Sequence, residues 1–283
     1  MKYIYSYFII PFCFIFLTCC ATVSKTDWQE RDGMVVIPSG LFNMGLDNGE
    51  PNERPEHETY LETFMIDKYE VSAKDFAEFL NEKGNPESKY FSPDSYSTIV
   101  VASQKAGSGE TAEKPETFLP RKGFEQFPAN NVSWFGAYTY CQWKEKRLPT
   151  EAEWEKAARG DDKRVYPWGN SMPDAQKAQY NQDWDAKGFD VLVPVTSLPD
   201  GSSYYNVHNL AGNVWEWVDD WYRQNYCPPC ETSPLDEPEY GNFKILRGGS
   251  WYDSHGELVI RSTYRYRMDP KDRYLHTGFR CAK

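Results

Sequence analysis

The chain has 283 residues, with 42 acidic against 31 basic side chains and a formal net charge of −11. That balance excludes phosphate-backbone binding, which needs clustered cations, and a mean hydropathy of −0.72 excludes a polytopic membrane protein. Ten Trp and twenty Tyr within a 16% aromatic content point to a heavy aromatic core or a Tyr-rich adhesive surface.

At the N-terminus Lys2 precedes an apolar run, residues 3–18. It is short for a spanning helix and suits the hydrophobic region of a signal peptide. The run ends in Leu17-Thr18-Cys19-Cys20, which resembles a bacterial lipobox with Leu17 three residues before a lipidated Cys20. A Cys at position 19, where Gly or Ala is usual, leaves Cys19 as an alternative. A plain cleaved signal peptide and an uncleaved anchor are the other readings. Residues 1–20 are thus expected to be a lipoprotein signal peptide. Acylation of Cys20 implies a lipid anchor in the bacterial cell envelope, at the outer membrane and facing the periplasm or the surface, where disulfides persist. Four cysteines then remain, Cys141, Cys227, Cys230 and Cys281. An even number suggests two bridges, and spacing alone does not choose the pairing. The Cys-Pro-Pro-Cys run could also be a redox or metal motif, but one such pair without His nearby is weak evidence for zinc.

Residues 21–32 are polar and read as a tether. The folded part is expected from Gly33 to Lys283 as one domain. Residues 34–44 (MVVIPSGLFNM) are strand-like with a Pro-Ser-Gly turn. Residues 50–58 are charged and Pro-containing, hence loop. In residues 72–83, Ser72 and Asp75 sit in a capping-box arrangement, Phe76, Phe79 and Leu80 recur at helical spacing, and Gly84 stops the helix. Residues 85–127 look irregular, with a loop at residues 106–109. A second helix is expected over residues 133–145, carrying Trp134, Tyr138 and Cys141 on one side. Thr150 and Glu153 form a capping box for a third, with Trp154, Ala157 and Ala158 on its buried face and Gly160 at its end. Beyond Gly160 helical periodicity gives way to short strand-like pieces and turns. The fold class is therefore α+β with much irregular backbone, of the kind that disulfides and hard cations hold.

Several segments together resemble the formylglycine-generating-enzyme (sulfatase-modifying-factor) family. They are residues 34–45 (MVVIPSGLFNMG), 64–71 (FMIDKYEV), 131–134 (NVSW), 146–160 (KRLPTEAEWEKAARG), 166–170 (YPWGN), 209–217 (NLAGNVWEW), 246–251 (LRGGSW) and 277–281 (TGFRC). They keep the family's order across residues 33–283. The resemblance implies a C-type-lectin-like fold of the formylglycine-generating subclass. It also implies a Cys141–Cys281 disulfide, which leaves Cys227 and Cys230 to pair locally. It further implies a calcium site built from the Asn209 side chain, the Gly212 and Val214 carbonyls and Glu216. Oxygen donors on a Gly-Asn turn suit such a hard cation. A weaker second calcium site matches Asn181, Gln182 and Phe189. There Lys187 falls where the family has an Asp, so that site is lost unless Asp185 substitutes.

One departure bears on activity. Active family members carry two cysteines beyond the Gly-Gly-Ser motif that bind copper and handle oxygen and the substrate thiol. Here the matching positions are Asp253 and Leu258. Thiolate chemistry requires sulfur, so no copper and no formylglycine-generating activity are expected. Asp253, His255 and Glu257 are close enough in sequence to suggest a metal site, though polar residues of a surface loop are more often solvated.

A family fold without family chemistry suggests ligand display. Residues 252–276 carry Tyr252, Tyr264, Tyr266 and Tyr274 with Arg261, Arg265, Arg267 and His276, a composition suited to a protein or glycan ligand. The other reading is an ordinary strand with its arginines ion-paired. The stretch also resembles the variable regions of proteins diversified by diversity-generating retroelements. Asp253, Ser254, His255, Leu258, Ile260, Tyr264, Tyr266, Tyr274, Leu275 and His276 all belong to the residue set which that process yields. With Tyr252 they form the candidate ligand surface. The competing functions are an enzyme of altered chemistry on the same fold and a structural subunit of an envelope machine.

Overall fold

The computed structural model describes residues 29–102, 116–224, 226 and 243–283. Cys20, the 106–109 loop and the Cys227–Cys230 pair lie outside the described residues. In chain order the elements are β1 (Glu30–Arg31), β2 (Met34–Ile37), β3 (Gly40–Met44), β4 (His57–Leu61), β5 (Phe64–Asp67), α1 (Ala73–Lys83), β6 (Ile99–Ala102), β7 (Thr117–Pro120), α2 (Trp134–Trp143), α3 (Glu151–Arg159), α4 (Trp184–Lys187), β8 (Trp215–Trp221), β9 (Lys244–Arg247), α5 (Gly256–Val259), β10 (Tyr266–Met268) and β11 (Thr277–Phe279). The expected α+β class is what these elements build.

The three long helices begin where the sequence places them. Ser72 accepts the Asp75 N–H and Ser133 accepts the Gly136 N–H. The arrangement at Ser72 is not the reciprocal one: its hydroxyl donates to the Asp75 carboxylate instead of Asp75 reaching the Ser72 N–H. At α3 the box is reciprocal, and Glu153 also takes both ends of the Arg147 guanidinium at 2.6 Å. Substituting such a cap by Ala costs about 1 kcal/mol.

A four-stranded sheet of order β10-β9-β8-β11, with β11 parallel to β8, centres the molecule. Helices α1 and α2 pack a core of Phe76, Phe79, Phe91, Tyr140 and Trp217 with Phe279. Helix α3 buries Trp154, Ala157 and Ala158, all fully inaccessible, against Val35, Ile66 and Val218. Truncating a buried Trp of this kind to Ala costs about 3–5 kcal/mol. The Cys141–Cys281 disulfide is present, with Cα atoms 5.6 Å apart, and joins α2 to the C-terminal end of the chain.

Three expectations need correction. The fold starts before Gly33, because β1 pairs with β2 across the Asp32-Gly33 turn, where both residues have positive φ. That pair takes residues 30–31 out of the tether. The 85–127 stretch contains the antiparallel hairpin β6–β7. Two single-turn helices, α4 and α5, interrupt the region beyond Gly160.

Candidate functional site

The turn after β9 sets the site. Gly248 and Gly249 adopt φ of 93° and 72°, a region that favours glycine. Ser250 is fully buried. Asp253 folds back onto it, accepting the Ser250 N–H at 2.9 Å and its hydroxyl at 2.7 Å. Burial raises the Asp253 carboxyl, while Ser250 and the Trp215 side chain hydrogen-bond to it and oppose that rise. Leu258 lies on α5 and is 36% exposed. The positions that the resemblance assigns to copper-binding thiolates therefore hold a fastened carboxylate and an apolar side chain. Cys141 and Cys281, the cysteines among the described residues, are bonded to each other. The suggested metal group is not assembled either. No three His, Cys, Asp or Glu side chains among the described residues could hold an ion together; His255 and Glu257 point to solvent.

The structure does bring other predicted residues together. The rings of Tyr252, His276 and Tyr274 stack in sequence, with centroids 5.4 and 5.5 Å apart and planes tilted by 13° and 17°. Tyr252 and Tyr274 are 63% and 47% exposed, so the stack's two ends face solvent. Beside it Tyr266 stacks on the buried Trp215 at 5.3 Å, and Tyr264 lies 6.1 Å from the same indole. The backbone below is pinned. The carbonyls of Tyr274, Leu275 and His276 accept from Asn131 N–H, the Asn130 amide and Trp215 N–H respectively. The ledge extends through residues that the sequence did not single out: Trp251 contacts Tyr252 and Trp184, and Trp184 contacts the exposed Tyr96. Aromatic abundance was their one signal, since contacts across 88 residues, as between Tyr96 and Trp184, leave no local pattern.

Other predicted residues fall elsewhere. Ile260 is fully buried, packed with Tyr166, Ala178 and Ala211; it belongs to the core and is removed from the ligand surface. Leu275 is half-buried against Val191, Val214 and Trp251. Ser254 is exposed. Among the arginines both readings apply. Arg261 pairs with the buried Glu53 at 2.9 Å. Arg265 makes a two-pronged bond to Glu151 at 2.7 and 2.9 Å. These two anchor the segment from inside, while Tyr264 is half-buried against the aromatic core and Tyr266 is exposed at the start of β10. Arg267 is exposed and unpaired with any carboxylate of the described residues.

His276 is held neutral within the stack, because burial pushes its imidazole down to about 4. An unfolded His titrates near 6.5. Protons therefore enter the unfolded chain first as pH falls. The stabilisation is complete above about pH 6.5 and is lost progressively toward pH 4. A proton NMR titration should show no His276 protonation above pH 5; a midpoint near 6.5 would refute the assignment.

The turn proposed for calcium is tightly wound, with Asn209, Gly212 and Asn213 at φ of 53°, 80° and 62°. A Cβ on Gly212 would lie 2.4 Å from the Gln179 carbonyl oxygen. Glu216 is buried and accepts from Arg280 at 2.7 Å through each oxygen and from the Trp154 indole at 2.8 Å. The Asn209 amide nitrogen donates to the buried Glu70 and to the Val195 carbonyl. At the second site the Lys187 ammonium donates to the Gln182 side-chain oxygen, and Asp185 lies exposed on α4. Phe189 stands under the Arg121 guanidinium, 4.5 Å away.

Comparison with known proteins agrees with this architecture. A family model described as a sulfatase-modifying factor enzyme 1-like domain matches residues 20–283. A protein named serine/threonine-protein kinase pkn1 from Chlamydia caviae is 32% identical over 88% of the chain, which spans only 38% of that protein. The formylglycine-generating enzyme of Mus musculus is 32% identical, covering 88% of this chain and 74% of its own. A bovine relative named inactive C-alpha-formylglycine-generating enzyme 2 is 33% identical, over 88% and 87%. Among solved structures, PvdO from Pseudomonas aeruginosa superposes with a TM-score of 0.65 at 25% identity, over 88% of this chain and 93% of its own. Treponema denticola variable protein 1 does so with 0.63 at 20% identity, over 88% and 94%, a likeness of fold alone. The fold is thus the C-type-lectin-like one of the formylglycine-generating subclass.

Proposed function

The chain belongs to the sulfatase-modifying factor enzyme 1-like family, and within it we propose a non-catalytic lipoprotein that binds a protein or glycan ligand through its C-terminal surface. The observation that carries this reading is Asp253. It stands where the resemblance places a copper-binding cysteine, and its carboxylate is bonded to Ser250. A carboxylate so engaged offers no sulfur for oxygen or thiol chemistry. The exposed Tyr252–His276–Tyr274 ledge then supplies rigid amphipathic contact area, the kind that binding surfaces use. Relatives named as active and as inactive are about equally similar to this chain, so the reading rests on Asp253 and not on them. The test is oxygen consumption by the purified protein with copper and cysteine-containing peptides. A background rate is expected; sustained turnover overturns the reading.

Two further parts belong to the proposal. Acylation at Cys20 would anchor the protein in the cell envelope, and mass spectrometry of the mature N-terminus reads it directly. Diversification by a retroelement would place a reverse-transcriptase gene and a near-copy of the C-terminal codons beside the gene; a neighbourhood without both removes that part.

Calcium is proposed for the first turn only. Asn209, the carbonyls of Gly212 and Val214, and Glu216 are oxygen donors of the kind that a hard cation takes. Both Glu216 oxygens are bonded to the Arg280 guanidinium, so an ion there must displace that pair or bind through the other three donors. Calcium there would fix the turn that leads into β8. The second set does not fit, since an ammonium already occupies its amide oxygen and would repel a divalent ion. Chelation should lower the melting temperature by several degrees, because a ligand at a hundredfold its Kd contributes about 2.7 kcal/mol. An unchanged melt with chelator removes the ion.

A further inference from the structure

The binding face has a second half, beside Tyr264 and Tyr266. A cleft of about 380 Å³ opens there, lined by Glu50, Asn52, Gln224, Tyr264, Tyr266 and Arg267 among others. Arg267 is the exposed arginine of edge strand β10. Its guanidinium lies 4.8 Å from the Tyr222 ring centroid and 5.6 Å from that of Phe243. It makes no hydrogen bond or ion pair with the described residues. Its neighbours two and six positions earlier, Arg265 and Arg261, are both locked to buried glutamates.

Stacking on aromatic faces orients a guanidinium and leaves its planar fork of N–H groups facing outward. The cleft is rich in donors. The Arg267 fork, the Tyr264 and Tyr266 hydroxyls and the Gln224 amide can all give hydrogen bonds. The Asn52 amide is turned away from this role, donating to the Tyr222 hydroxyl and the Arg265 carbonyl, and so props the wall. Glu50 is the one carboxylate in the lining. A donor-rich site suits a group that only accepts, and an ionised carboxylate is that group among protein side chains. A neutral polyol would find acceptors here as well, in Glu50 and in the tyrosine and amide oxygens, but it would leave the Arg267 charge without a counter-ion.

We propose that this cleft receives the carboxylate of an Asp or Glu side chain from an acidic segment of a partner protein, with Arg267 as its two-pronged donor. The assignment rests on the C-terminal surface being a binding face, and it commits that face to a protein ligand. The experiment is a titration of the full chain, followed by NMR of the arginine side-chain Nε–H resonances. The probes are N-acetyl-glutamate N-methylamide, its glutamine counterpart, glucuronate and inorganic phosphate. A saturable shift of the Arg267 resonance with the glutamate probe alone is expected. Arg267→Gln should weaken that binding about tenfold or more, since charge-assisted bonds carry such differences. Arg267→Lys should recover only part of it, because an ammonium lacks the fork. No shift with the glutamate probe overturns the proposal, as does a shift of equal size with the glutamine probe, glucuronate or phosphate. Turnover in the oxygen assay would instead sink the binding reading itself and leave this titration unaffected.

Discussion

Arg247→Met is expected to cost the fold about 3–5 kcal/mol, the usual penalty for removing one member of a buried ionic cluster. Arg247 is fully inaccessible. One of its terminal nitrogens reaches Glu155 at 2.6 Å and the Ser262 carbonyl at 2.7 Å. The other reaches the Thr263 carbonyl at 3.0 Å and Glu151 at 3.3 Å. Glu155 keeps Arg159 at 3.3 Å, and Glu151 keeps Arg265. Each carboxylate thus retains one cation but loses another inside a site that excludes water. The two carbonyls lose their donors outright. A buried acceptor left unmade costs about 1–3 kcal/mol, so loss of charge and loss of bonds act in the same direction. Urea unfolding at neutral pH with an unchanged slope is the measurement. A loss below about 1 kcal/mol would mean that the cluster holds nothing that water cannot replace.

The effect should reach the binding face. Ser262 and Thr263 immediately precede Tyr264, and Arg265 fixes the next turn of chain through Glu151. Tyr266 is exposed and Tyr264 half-buried beside arginines that are held inward. This mixture explains why the C-terminal stretch supported two readings in the sequence. Tyr and Arg together signal a ligand surface, yet two of the three arginines turn out to be its internal fastening. Sequence gives residue types, whereas the carboxylates that decide the matter, Glu53 and Glu151, come from more than a hundred positions upstream.

The same distinction runs through the fold. Helix α3 was legible because its signals are local: a reciprocal cap, a buried face at helical spacing and a glycine stop lie within eleven residues. The β6–β7 hairpin was not, since its strands are four residues each and a long polar stretch, residues 103–116, separates them. The β1–β2 turn was legible in principle. Asp32-Gly33 is a strong hairpin dipeptide, but the polar residues before it masked a strand that is exposed at both positions. Ile260 failed for a different reason. Membership in a set of permissible residues says nothing about burial, and Ile260 sits where a Cβ on Gly249 would already come within 2.8 Å of its methyl group. A surface defined by composition needs the tertiary fold to sort the facing side chains from the supporting ones.

Replacing both Cys141 and Cys281 by Ala should lower stability by about 2–5 kcal/mol while leaving the native fold in place. The bridge spans 140 residues of sequence. Closing a loop of such length removes much of the unfolded chain's freedom, about 4.7 kcal/mol for roughly 100 residues in the chain-entropy account. The folded end has other attachments. Ala282 exchanges backbone hydrogen bonds with Arg147, Lys283 does so with Met65, and Arg280 grips Glu216 with both partners inaccessible. These should keep β11 docked beside β8, with Tyr274 and His276 in register above it. The loss therefore belongs mainly to the unfolded ensemble. An ensemble freed of the crosslink exposes more surface, so the urea slope should rise as the midpoint falls. Amide exchange separates this from the alternative. Protection of residues 277–279 should fall only by as much as global stability does. Early exchange confined to those residues, with an unchanged slope, would show that the bridge instead clamps a native segment unable to hold its own place.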